Sequence, residues 1–115
     1  MATGFIYHIC PKSSWEAAVA RGVYSGGEMD RRDGFIHFSG ADQVRNTAAR
    51  YLSGVTGLVL IKIDPDCLGG TLKWEKSSDN MLFPHVYGTI DPADVAFAAD
   101  LPVGEDGLHV FPDLD

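Results

Sequence analysis

The sequence predicts an α+β domain, and three observations carry that expectation. Two segments with helical spacing of apolar residues fall before residue 54, and four β-rich runs separated by turn residues follow it. Strand and helix do not alternate along the whole chain, as a doubly wound fold would require. The length of 115 residues suits one domain over 1–115 with a single core, and no repeat or Ser/Pro/Gly-rich linker divides it.

Residues 5–9, FIYHI, are apolar and rich in β-formers, and the run stops at Pro11, which has no N–H to extend a ladder. Ser13, with Glu16 three residues on, has the form of a capping box. Trp15, Ala18 and Val19 then recur at helical spacing until Gly22 supplies a stop. Residues 25–33, SGGEMDRRD, combine glycine and charge with few apolar anchors, the composition of an exposed, mobile loop bordering a pocket. Within it Arg31 and Arg32 lie between Asp30 and Asp33 and are assigned to solvent.

A second strand is expected over 35–38. Ser39 and Asp42 repeat the capping signature ahead of Val44, Ala48, Tyr51 and Leu52, which predicts a helix ending near Gly54. The nearly unbroken run at 58–63 suits a central strand covered on both faces. Strands at 71–76, 83–90 and 95–100 follow, with Asp79 and Asn80 read as turn residues. The tail after Pro102 has Leu108, Val110 and Phe111 as its anchors, and His109 is assigned to the surface.

Composition narrows function. Hydrophobic residues make up 45% and charged residues 22%, a globular balance. The net charge of -7 repels a phosphate backbone, because non-specific nucleic-acid affinity comes from Lys and Arg releasing counterions, so no nucleic-acid partner is expected. No run reaches the ~18 apolar residues of a membrane span, and residues 1–7 lack the features of a signal peptide. No membrane partner and a cytoplasmic location are therefore expected. Cys10 and Cys67 form no CxxC and are read as free thiols, Cys10 buried.

Strand alternation places several polar groups among apolar ones. His8 shares a face with Ile6 and Cys10, His37 with Phe35 and Ser39, Glu75 with Lys73, and His85 with Phe83 and Tyr87. A buried polar group must find a hydrogen-bond partner, and two readings compete. Each histidine is a satisfied core residue bonded to a backbone carbonyl, or the set converges on a ligand. Three strand-borne histidines in so small a domain, with Ser39, Glu75 and Tyr87 beside them, favour convergence on a small molecule. Glu75 has the alternative of a solvent-facing carboxylate paired with Lys73 or Lys76.

His8, His37 and His85 offer imidazole nitrogens but no HxxxH or HxH spacing, so no metal is assigned. GxSxG, GxGxxG and P-loop patterns are absent, and Ser39 is taken as an N-cap with its hydroxyl already engaged.

Taken together, IYHI (6–9), Trp15 with an alanine-rich helix and GVY (22–24), DGFIHFS (33–39), LVLIKID (58–64), LKWE (72–75) and FPHVYG (83–88) resemble a bacterial family known as domain of unknown function 952. That family is distantly similar in fold to the ADP-ribosyltransferases. The resemblance implies two small sheets forming a split half-barrel flanked by two main helices, with a nucleotide cleft between them. It also implies that NAD or a related nucleotide is substrate, with no resident cofactor required. Glu75 and His37 would then be catalytic, the carboxylate stabilising an oxocarbenium-like ribose. His8, Ser39, His85 and Tyr87 would bind substrate. A non-catalytic metabolite-binding or accessory module is the alternative, and oligomeric state is left open.

Overall fold

The computed structural model describes residues 4–77 and 80–114. Its strands are β1 (Ile6–Pro11), β2 (Ile36–His37), β3 (Ser39–Gly40), β4 (Leu58–Ile63), β5 (Leu72–Lys76), β6 (Leu82–Val86) and β7 (Val95–Leu101). Its helices are α1 (Lys12–Arg21), α2 (Glu28–Asp33) and α3 (Val44–Tyr51), and 3-10 turns cover Pro65–Thr71 and Pro92–Asp94. The strands form two antiparallel sheets, ordered β3-β1-β4-β7 and β2-β6-β5, and no closed barrel is present among the described residues. The architecture is mixed α+β, as the sequence predicts, with one more helix than expected.

The run at 58–63 becomes an interior strand, pairing β1 on one side and β7 on the other. Its alternate residues feed two cores. Val59, Ile61 and Ile63 pack with Ile6 and Cys10 of β1, Trp15 and Ala18 of α1, and Ile36 and Val86 of the second sheet. Leu58 and Leu60 pack with Tyr7, Leu101, Val44 of α3 and, from the tail, Phe111 and Leu114. The four-stranded sheet thus lies between the three-stranded sheet plus α1 on one face and α3 plus the tail on the other. Burial on both faces is why this segment shows no polar alternation.

Several local expectations are corrected. Ser13 lies inside α1, whose N-cap is Pro11 with no side-chain bond, so Ser13 and Glu16 form no capping box; Gly22 does end the helix in the left-handed conformation, φ 82°. Val19 is exposed, and only Trp15 and Ala18 of that stripe are buried. The segment expected as a loop contains α2, and Asp30 within it is buried. The strand expected over 35–38 is two residues long, and Ser39 is no N-cap: it pairs with Tyr7 in β3, while α3 starts at Val44. The bond expected of a capping serine comes from Gln43, whose Oε1 accepts from the Gly40 N–H at 2.8 Å. Of the expected turn pair, Asp79 lies outside the described residues.

His109 is also corrected. It is 8% exposed, bridges Val103 in a short antiparallel contact, and its Nε2 lies 2.7 Å from the Val55 carbonyl. Cys10 is buried and Cys67 exposed, both free, and burial pushes the Cys10 thiol up to about 11. No helix of the described residues is long and apolar enough to cross a membrane.

Candidate functional site

The second sheet brings two of the histidines face to face. β2 pairs antiparallel with β6 so that Ile36 opposes Val86 and His37 opposes His85. Because opposed residues share a face, Ile36 and Val86 enter the core while both imidazoles turn the other way, with ring centroids 5.7 Å apart. On β5, Lys73 opposes His85 and Glu75 opposes Phe83, which puts Glu75 diagonally beside His85 on that same face. Phe35 caps the group, its ring stacked on His85 at 4.0 Å and 4.6 Å from His37.

His8 reaches this region from the first sheet. Its Nδ1 lies 2.6 Å from the His37 carbonyl and its Nε2 2.5 Å from the Tyr24 hydroxyl. A carbonyl only accepts, so Nδ1 carries the proton and Nε2 takes the Tyr24 O–H. Burial drives the His8 pKa down, outweighing the pull of Asp30 on a protonated ring, so this imidazole is held neutral. Burial likewise pushes the Tyr24 hydroxyl up.

Asp30 is the hub that the sequence reading did not single out. One carboxylate oxygen accepts from the Gly27 N–H at 2.7 Å; the other accepts from the His37 N–H at 3.0 Å and from His37 Nδ1 at 2.5 Å. Burial alone would raise its pKa. The bond from His37, the nearby His8 and the two backbone donors win, holding Asp30 at about 2. Gly26 makes room for it: a Cβ there would sit 2.7 Å from the Asp30 Cβ, and φ of +88° already favours glycine. The other nitrogen of His37, Nε2, lies 3.1 Å from an Asp33 oxygen. Bonded first by Asp30 and also facing Asp33, His37 has its pKa raised, and the charged imidazolium is favoured.

His85 differs from both. Its Nδ1 lies 2.9 Å from Glu75 Oε1, which also accepts the Tyr87 hydroxyl at 2.6 Å. Those two bonds, Tyr87 first, lower the Glu75 pKa. The carboxylate accepts the hydrogen bond from Nδ1–H, and Nε2 has no hydrogen-bond partner among the described residues.

A cleft of about 660 Å³ opens where β3 stops pairing with β1, bounded by α3, the His8–Ile9 edge of β1, and the second sheet. His8, His37, Ser39 and His85 line it, as do Asp30 and Phe83. Four of the six site residues named from sequence therefore border one hollow. Glu75 and Tyr87 stand beside His85 without lining the cleft, and Tyr87 is 40% exposed. The Ser39 hydroxyl meets Thr47 Oγ1 at 3.4 Å. Among the described residues no group of three or more His, Cys, Asp or Glu is arranged to hold a metal. Asp30 carried one overlooked signal, an acidic residue three positions after Gly27 at the start of a helix. Tyr24 carried none.

A family model described as "Protein of unknown function (DUF952)" matches residues 9–98. The crystal structure of protein CC0527 from Caulobacter crescentus is similar in fold, with a TM-score of 0.87 and 39% identity over 92% of this chain and 93% of that one. The solution NMR structure of CC0527 gives 0.82 and 39% over 90% of each chain. No curated protein matches. With a family model spanning most of its length, the chain belongs to the DUF952 family.

Proposed function

We propose that the cleft binds NAD or a related nucleotide and that His85 meets the reacting sugar. The observation that carries this reading is the Nε2 of His85, the ring nitrogen without a partner among the described residues on a wall where the other imidazoles are fully engaged. The volume falls in the range of small-molecule sites, about 300–1,000 Å³. Asp30 and Asp33 around one His37 imidazolium leave that wall net negative, which suits a ligand that carries or develops positive charge, such as a nicotinamide ring or an oxocarbenium-like ribose. Phe83 adds an aromatic surface. In this reading Glu75 acts through His85, fixing its tautomer, and His8, His37 and Ser39 shape the wall along the sugar.

Calorimetric titration with NAD and with ADP-ribose tests the binding step, and chromatography of released nicotinamide tests the chemistry. Saturable heat and nicotinamide release are expected; no heat and no thermal shift at millimolar ligand removes the proposal. A second reading, binding without turnover, is favoured by one observation: His8 and His37 each have both ring nitrogens engaged, as in a rigid scaffold. Glu75→Gln separates the two, since an enzyme loses nicotinamide release while keeping the ligand, and a binder has no release to lose.

A further inference from the structure

The geometry points to water as the acceptor in the cleft, with His85, backed by Glu75 and Tyr87, drawing the proton from it. The activity is then hydrolysis of the nicotinamide–ribose bond and not transfer to a macromolecule. This inference rests on the nucleotide reading of the cleft.

Position supplies the first argument. His85 lines the cleft and Glu75 does not, so the imidazole meets a bound ligand and the carboxylate stands behind it. Glu75 Oε1 accepts the Tyr87 hydroxyl at 2.6 Å and His85 Nδ1–H at 2.9 Å. A carboxylate that orients an imidazole through Nδ1 leaves Nε2 as the nitrogen that takes up a proton, and it stabilises the imidazolium that results. Among the described residues His109 Nδ1 is the unpartnered side-chain polar atom that is sealed from solvent. Nε2 of His85 is unpartnered as well, and it is not sealed.

Size supplies the second. His85 is 8% exposed, and the Phe35 ring stacks on it at 4.0 Å. A nucleophile that reaches its free nitrogen beside a bound nucleotide must be small, and water is. A nucleic-acid acceptor would meet a net charge of -7. In the step, Nε2 takes a proton from water as the water oxygen bonds to the anomeric carbon of the ribose. The bond from that carbon to the nicotinamide nitrogen breaks, and its electron pair leaves with nicotinamide, which departs neutral. The proton on Nε2 passes to solvent, so NAD and water give ADP-ribose, nicotinamide and one proton.

The test incubates the intact protein with NAD and quantifies nicotinamide and free ADP-ribose by chromatography. Equal amounts of the two are expected, both formed about a hundredfold more slowly by His85→Gln, whose NAD binding is checked by calorimetry. Nicotinamide in excess of free ADP-ribose, with the remainder attached to the protein or to another acceptor, overturns the inference and leaves the nucleotide reading standing; that arm needs no variant. Hydrolysis at the wild-type rate in His85→Gln overturns it too, as does NAD that binds without releasing nicotinamide. A protein that does not bind NAD loses the nucleotide reading itself.

Discussion

On the α2 side of the cleft, His8 and His37 have both ring nitrogens facing protein partners; on β6, His85 has one nitrogen held by Glu75 and one without a partner among the described residues. The two regions use the same side chain for different ends. Where each ring nitrogen meets a protein partner, imidazoles become fixed struts: His8, buried, is held neutral, and His37, between Asp30 and Asp33, is favoured as the charged form. Where a carboxylate meets only one nitrogen at the rim of a hollow, the other stays available for chemistry. Stability should therefore respond to changes at His8, His37 and Asp30, and ligand chemistry to changes at His85.

The sharpest way to break this contrast is Asp30→Ala. It leaves the His37 ring and two backbone donors without their acceptor in a partly buried setting, and losing hydrogen bonds to a charged group there costs about 1.5–3 kcal/mol. Urea denaturation should show that loss; a change below ~1 kcal/mol would remove the strut role. On the neighbouring strand, His85→Gln should lower nicotinamide release by about a hundredfold, the scale of general acid–base catalysis, with the denaturation midpoint little moved. If the midpoint collapses along with activity, the two histidine environments do not differ.

The pH profile sharpens the comparison between the two fixed imidazoles. The folded-state pKa of His37 is raised, so its contribution is full below the unfolded value near 6.5 and is lost as pH rises through the folded value. The folded-state pKa of His8 is lowered, so its neutral burial costs nothing above 6.5 and destabilises as pH falls below it. The two slopes oppose each other in the wild type. His37→Gln should leave only the rise of stability with pH, measured as thermal midpoints between mildly acidic and mildly basic buffer. Asp30, held at about 2 against an ordinary 3.8, adds stability above 3.8 that disappears as pH falls toward 2. The smallest effect is expected at Ser39→Ala, whose 3.4 Å contact with Thr47 is long for a hydroxyl pair: about 0.5 kcal/mol in denaturation, and ligand affinity within twofold.

Alternation along strands gave His37 and His85 their neighbours within each strand, the β2–β6 pairing then set them side by side, and the apolar run at 58–63 was enough to locate the central strand. What the sequence hid depends on distant partners. Asp30 reads as a loop acid because nothing local reveals that His37, seven positions on, folds back over it. Ser39 and Asp42 match a cap pattern, yet pairing with Tyr7 draws Ser39 into β3 and Gln43 takes over the Gly40 N–H. His109 lies in a tail without periodicity, and its burial is set by Val55, 54 residues earlier. Glu75 was weighed between lysine pairing and a site role. Its partners turned out to be His85 and Tyr87, reached across β5 and β6.

One stretch of chain, 36–40, serves as the last strand of both sheets: Ile36–His37 closes the three-stranded one and Ser39–Gly40 the four-stranded one. Such a shared hem makes the two layers a single cooperative garment, since peeling either sheet pulls the same five residues away from the other. Loss of this stretch should therefore loosen both sheets at once rather than one of them.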